Sequence, residues 1–292
     1  MTPEVAIART GTTLPVIGVV GAGQMGVGVG QCFAEAGHPV TVVEPSASAR
    51  ASVSRRLVGG LRLSVLGGRK GVDFDEVISR IRCTADLDDL RDAAFVVECA
   101  PERTPLKEDI FRRLGGICPT GTVLASCTSA IPIARLGAAS GRPDRVLGTH
   151  LMNPAPIKRA VEVVTAPDTS PATLRSTVDL LRSIGKEPIV VGDAPGFVTN
   201  RVLMLMINEA AAVVREDTAT PAVVDKIFQE CFGHPTGPLA TADLIGLDTV
   251  VDTLAVLLDH TGDARFVPCP LLVELVDAGR TGRKSGAGFH TY

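Results

Sequence analysis

Between residues 129 and 200 the chain carries five polar side chains suited to moving a proton and to holding the group that gives it up. Ser129 stands in SCTSA, His150 and Asn153 in GTHLMNP, Glu162 in VEVV, and Asn200 in DAPGFVTNR. An imidazole, with an ordinary pKa of about 6.5, gives and takes a proton near neutral pH. A carboxylate behind it fixes the tautomer and stabilises the imidazolium that forms. A hydroxyl and two amides nearby supply donors and acceptors for an oxygen-bearing substrate. On residue types alone, Glu162 between valines also fits a surface position of an edge strand, and Asn200 fits a helix cap. No His/Cys/Asp cluster has metal-ligand spacing, so no metal is expected.

Proton removal becomes an oxidation only if something else accepts the electrons, and the chain provides for that upstream. Gly21-Ala22-Gly23-Gln24-Met25-Gly26 fits GxGxxG directly after the apolar run VIGVV and directly before a helical stretch closing at Gly37. In that context the first glycine permits the tight turn, the second lets the backbone approach a pyrophosphate, and the third lets helix and strand pack closely. The uncapped helix N-terminus faces the phosphates. Glu44, ending the next apolar run VTVVE, is placed to bind both ribose hydroxyls and to repel a 2′-phosphate, which favours NAD over NADP. Arg50 is the one nearby charge that works against this preference.

Elements that would hold these groups follow from the apolar pattern. Short runs of five to seven (AFVVECA, TVLAS, VLGTH, AVEVV, EPIVVGD) alternate with helical stretches such as LKEDIFRRL and LRSTVDLLRSIG, which is the pattern of a parallel sheet buried on both faces. Residues 47–82 read as a helical excursion in two halves hinged at GGRKG. From Gly196 the pattern is helical alone, and RVLMLMINEAAAVVRE, apolar nearly all round, reads as a buried helix. The expected architecture is an α/β Rossmann-type NAD-binding domain over residues 1–194, then an all-α substrate and dimerisation domain over 195–292. The net charge of −3 argues against a nucleic-acid partner. No run approaches a membrane span. Seven scattered cysteines without CxxC spacing read as reduced thiols, mostly buried, in a cytoplasmic protein. Residues 1–14 read as a loose extension. His234 reads as shaping a turn, and His38, His260 and His290 as surface or terminal residues.

The ordered strings GAGQMG, Glu102-x-x-x-x-Lys107, SCTSA, GTHLMNP, VEVV, DAPGFVTNR, HPTGPLATADLIGLD and GRKSGAGFHTY run from about residue 16 to Tyr292. In this series the chain resembles the L-3-hydroxyacyl-CoA dehydrogenase family, of the short 3-hydroxybutyryl-CoA type. The resemblance implies NAD-dependent interconversion of a 3-hydroxyacyl and a 3-oxoacyl thioester. His150 would be the base, Glu162 would hold its other ring nitrogen, and Ser129 would bind the substrate oxygen and the nicotinamide amide of the cofactor. Asn200 would position the thioester end, and Asn153, Glu102 and Lys107 would approach the nicotinamide ribose. It further implies a homodimer through the helical domain and a site in the cleft between domains.

Three departures bear on the substrate. Cys127 replaces the Asn of the family's S-N-T-S string, and a packing role suits it better than a reactive one. Lys158 adds a charge after GTHLMNP. Arg55, Arg56, Arg62, Arg69 and Lys70 crowd the excursion, where the family meets the nucleotide end of coenzyme A. A solvated helix face would explain these charges equally well. The same charges would also suit the acidic face of an acyl carrier protein. That admits, as the alternative partner, the glyceryl-carrier oxidation of polyketide extender-unit biosynthesis. A dehydrogenase of free hydroxy acids and a non-catalytic NAD-binding protein are the remaining readings.

Overall fold

The computed structural model describes residues 14–292, so all but the last residue of the expected N-terminal extension lies outside the described residues. The chain divides into two compact units. One runs up to Thr128 and resumes at Ile133–Gly192, and the other takes Ser129–Pro132 with Asp193–Tyr292.

The first unit is built on one sheet of eight strands. These are β1 (Ile17–Val20), β2 (Val40–Val43), β3 (Ile81–Thr84), β4 (Phe95–Glu98), β5 (Val123–Ser126), β6 (Val146–Leu151), β7 (Ala160–Thr165) and β8 (Glu187–Gly192), in the order β3-β2-β1-β4-β5-β6-β7-β8. β1, β2, β4 and β5 are buried at every residue, which is why each reads as an unbroken apolar run. Neighbours are parallel except at β6–β7, where the direction reverses. The helices are α1 (Gln24–Glu35), α2 (Ala47–Leu66), α3 (Phe74–Ser79), α4 (Thr104–Ile117), α5 (Ile133–Ser140) and α6 (Pro171–Ser183). One apolar cluster joins Val19 and Val42 of the sheet to Phe33 of α1 and to Leu57 and Leu61 of α2.

The excursion ends earlier than its pattern implies. α3 stops at Ser79, and Ile81–Thr84 pairs with β2 as an edge strand. With two of its four residues exposed, that strand presents no apolar run to read. Gln31 of α1 donates to Ser64 of α2 at 3.0 Å and to Glu35 at 2.6 Å, tying the excursion to the cofactor-turn helix. His38 is not a surface residue: it is buried, with Nδ1 3.0 Å from the Pro15 carbonyl and its ring edge-on to Phe33. Of the seven cysteines only Cys32, Cys118 and Cys269 are buried, fewer than expected, and all seven are unbridged.

The second unit comprises α7 (Thr199–Arg215), α8 (Pro221–Phe232), α9 (Pro238–Ile245), α10 (Leu247–Thr261) and α11 (Pro270–Asp277). Proline opens α8, α9 and α11, where its missing N–H costs nothing. Met204, Ile207, Leu254, Leu257 and Phe266 form the core. α7 is less buried than its sequence implies. Met204, Ile207, Ala210 and Ala211 are covered, while Val202 is 62% exposed.

Two buried carboxylates hold the C-terminal tail. Asp243 accepts the N–H groups of Phe289 and His290, each at 2.9 Å, and the Tyr292 hydroxyl at 3.0 Å. Asp225 accepts from Leu239, Ala240 and His290 Nε2, the last at 2.7 Å. His290 is therefore a structural tie across the unit and not a loose terminal residue. No helix among the described residues is long and apolar enough to cross a membrane.

Candidate active site

The turn between β1 and α1 has the three-glycine geometry its spacing implies. Gly21 sits at φ +103°, and a Cβ there would lie 2.8 Å from the Cys99 carbonyl oxygen. A Cβ at Gly26 would lie 1.9 Å from the Gly21 carbonyl oxygen, so helix and strand close on each other only with glycine at both places. Gly23 differs: nothing in the protein lies within 4 Å of the position its Cβ would take. It is also the N-cap of α1, with no side-chain bond to the first-turn N–H groups. A helix end left open in this way suits the pyrophosphate of a dinucleotide.

At the end of β2 the Glu44 carboxylate is held by two backbone donors, Ala22 N–H on Oε2 and Ser46 N–H on Oε1, each at 3.0 Å. A carboxylate fixed this way keeps lone pairs for two ribose hydroxyls. Arg50, the charge that worked against NAD, is turned onto backbone carbonyls instead. Its Nη1 donates to Glu44 O at 2.6 Å and Pro45 O at 2.8 Å. Gln24 Nε2 donates to Asn153 Oδ1 at 3.1 Å, and Met25 packs on the core beneath the turn. Gly23, Gln24, Arg56, Leu63 and Asn153 line a cavity of about 520 Å³. The residues present fit NAD.

Next to the turn lies a buried polar cluster that sequence reading passed over. Glu98, the last residue of β4, is completely buried. It accepts from Ala100 N–H at 2.6 Å, from Ser126 Oγ at 2.7 Å, and from Lys107 Nζ on both oxygens at 2.7 and 2.9 Å. Lys107 also donates to Ala100 O at 3.0 Å and lies 3.3 Å from Glu102. The Lys107 ammonium is therefore buried among protein acceptors, with Glu102 beside it. Burial opposes its charge, yet Glu98 and Glu102 hold its pKa above the ordinary lysine value. Glu102 receives the Thr128 hydroxyl, which places it beside the segment leading to Ser129. The only hint of Glu98 in the sequence is a Glu closing an otherwise apolar strand ahead of a helix bearing Lys107.

The imidazole and its carboxylate face each other across the one antiparallel junction of the sheet. His150 of β6 is in register with Glu162 of β7, and Nδ1 lies 2.7 Å from Glu162 Oε2. Both side chains are about nine-tenths buried, at 10% and 8% exposure. Because β8 covers the outer side of β7, Glu162 is not on a sheet edge. Ser129 and Asn200 come together in the second unit, where Asn200 Nδ2 donates to the Ser129 carbonyl at 2.9 Å.

Of the six basic residues singled out, all exposed, Arg56 and Arg69 have protein partners. Arg56 Nη1 donates to Ala22 O at 2.6 Å and so braces the cofactor turn. Arg69 pairs with Glu35 and, with Lys70, lines a separate hollow that also holds Asp73 and Glu76. Arg55 and Lys158 are exposed.

An open glycine turn, a tethered carboxylate after the second strand and a buried His–Glu pair define an NAD-dependent oxidoreductase. The chain belongs to the 3-hydroxyacyl-CoA dehydrogenase family: residues 16–194 match its NAD binding domain and residues 196–292 its C-terminal domain. It is 42% identical over 275 residues to the probable 3-hydroxybutyryl-CoA dehydrogenase of Bacillus subtilis, covering 94% of this chain and 96% of that one. The crystal structure of M. tuberculosis FadB2 superposes with a TM-score of 0.90 at 38% identity, over 94% of this chain and 98% of that one. (S)-3-Hydroxybutyryl-CoA dehydrogenase PaaH1 from Ralstonia eutropha matches at 0.88 and 38%, over 95% and 99%.

Proposed function

We propose that the protein interconverts a short-chain 3-hydroxyacyl-CoA, such as 3-hydroxybutyryl-CoA, and the corresponding 3-oxoacyl-CoA, using NAD. The observation that carries this reading is the buried His150–Glu162 pair within a chain of this family. Bound NAD supplies the acceptor for the hydride leaving the substrate's C3. With Nδ1 facing Glu162, proton exchange with the C3 hydroxyl falls to Nε2 of His150. Glu162 fixes that tautomer and offsets the imidazolium charge. Ser129 would bind the C3 oxygen, Asn200 would position the thioester end, and Glu44 would take the adenosine ribose. Glu102 and Asn153 would take the nicotinamide ribose.

The finer features belong to the same reading. Dimerisation through the helical unit is supported by a largely apolar groove of about 480 Å³, lined by Met206, Val213, Ile227 and Phe228 among others. Exposed Val202 and Phe232 extend the apolar surface of that unit. Unbridged cysteines suit the cytoplasm. A carrier protein in place of coenzyme A rested on a basic face. Arg56 and Arg69 are engaged by Ala22 O and Glu35, so the basic residues give no preference for a carrier protein over coenzyme A.

NADH consumption with acetoacetyl-CoA and with acetoacetyl-acyl carrier protein, at equal thioester concentration, tests the proposal. Turnover of the coenzyme A thioester at least about tenfold faster is expected. Turnover of the carrier-bound thioester alone would overturn the choice of carrier, and turnover of neither would overturn the reaction.

A further inference from the structure

β4 and β5 are parallel neighbours in register, with Glu98 opposite Ser126, so the next residues of each strand, Cys99 and Cys127, stand opposite each other. Their backbones continue the sheet past the strand ends: Cys127 N–H donates to Glu98 O and Cys99 N–H to Val20 O, each at 2.7 Å. Adjacent strands lie roughly 4.7–4.9 Å apart. That falls inside the Cα separation of roughly 4.4–6.8 Å that a disulfide spans. Both side chains pack on the same apolar cluster, and both residues keep part of their surface exposed.

The pair differs chemically from the other five cysteines. The neighbouring Cys99 thiol holds Cys127 below the ordinary thiol value, helped by the Leu151 backbone and the charges of His150 and Lys107 and opposed by burial. The proximity of Cys127, together with burial, raises Cys99. One sulfur is thus the nucleophile and the other its proton-bearing partner, the arrangement that favours stepwise oxidation.

We propose that Cys99 and Cys127 form a site of reversible oxidation by hydroperoxides, and that closing it disables the cofactor turn. The Cys127 thiolate attacks the outer peroxide oxygen. The O–O bond breaks, a sulfenic acid forms on Cys127, and the other oxygen leaves as water or alcohol after taking a proton. The Cys99 sulfur then attacks the Cys127 sulfur. The S–O bond breaks, the S–S bond forms, and water leaves with the Cys99 proton. Each sulfur gives up one electron, and the peroxide is reduced by two.

The effect on function follows from what Cys99 touches. Its carbonyl is the atom that Gly21 packs against, and its Cβ lies 3.5 Å from where a Gly26 Cβ would be. β4 lies between β1 and β5, so joining the two sulfurs draws Cys99 toward β5 and away from the glycines that pack against it. It also pulls Cys127 away from the Leu151 backbone, one residue from His150 and two from Ser129.

The test treats the full-length reduced protein with hydrogen peroxide, blocks remaining thiols by alkylation, and digests with trypsin. The expected product joins the peptide of residues 92–103 to that of residues 114–135. Fragmentation should place the bond on Cys127 and not on buried Cys118. NADH turnover should fall at least about tenfold and return with dithiothreitol. Cys99→Ser should retain its own untreated rate after peroxide. Recovery of Cys99 and Cys127 as separately alkylated thiols would overturn the proposal. So would a linkage that leaves turnover unchanged, or a Cys99→Ser variant inactivated as fast as the native protein. The linkage readout is independent of which substrate the enzyme takes, so failure of the proposed reaction would be seen separately.

Discussion

Replacing Lys107 by Met keeps the length of the side chain and removes its charge, leaving Glu98 in a site with no exposure and only two neutral donors, Ala100 N–H and the Ser126 hydroxyl. Breaking a buried pair by removing one partner costs about 3–5 kcal/mol, because the remaining charge has neither solvent nor counter-ion. For a unit of this size each kcal/mol moves the midpoint by about 2–4 °C, so the first unit should melt about 6–20 °C lower. Scanning calorimetry suits the assay, since it resolves the two units if they unfold separately. The double variant Glu98→Gln/Lys107→Met carries no buried charge and should recover at least half of the loss. A single variant within about 1 kcal/mol of the native protein would refute the argument that the cluster is an ion pair in a low-dielectric site. The pH dependence has a definite sign. Because the folded lysine value is raised, the pair's contribution is complete below the unfolded lysine value. It is lost only as pH climbs through the higher folded value. Native stability should therefore show no loss from this group at neutral or mildly alkaline pH.

Three further substitutions probe the site itself. Glu162→Gln keeps the shape but removes the charge facing His150 Nδ1 at 2.7 Å. Turnover should fall by about 10²–10⁴ with little change in the KM for NAD, and a loss below about threefold would separate Glu162 from the chemistry. Gly23→Ala meets no protein atom, so melting should shift by no more than a few degrees while NAD affinity, read by NADH fluorescence titration, drops at least about tenfold. Unchanged affinity would move the pyrophosphate elsewhere. Glu44→Ala should weaken NAD by about tenfold or more and raise the relative use of NADP. An unchanged NAD/NADP ratio of kcat/KM would remove Glu44 from the ribose site.

The glycine turn was legible because it is local: strand, turn and helix follow within twenty residues, and Gly26 answers to Gly21 in that stretch, although Gly21 also meets the distant Cys99. His150 and Glu162 were legible as residue types in familiar strings. That they face each other depends on β7 running against β6 when the strands before it are parallel, which no residue in either strand announces. Non-local partners account for the misreadings. His290 meets Asp225, 65 positions away, and His38 meets Pro15 and Phe33, so neither looks anchored in its own segment. Arg56 and Arg69, for which the sequence left a ligand-binding role and a solvated face equally open, have partners in Ala22 O and Glu35 that are invisible from α2. Glu98 escaped for the opposite reason, hidden at the end of an apolar run whose burial is what makes its pairing with Lys107 necessary.

His150→Ala tests the central claim most directly. It removes the imidazole and leaves the glycine turn and Glu44 untouched. In single-turnover experiments with NAD and 3-hydroxybutyryl-CoA, NADH formation should slow by at least about 10³-fold while NAD binds with its native affinity. Near-native NADH formation would contradict His150 as the base and with it the mechanism built on the His150–Glu162 pair.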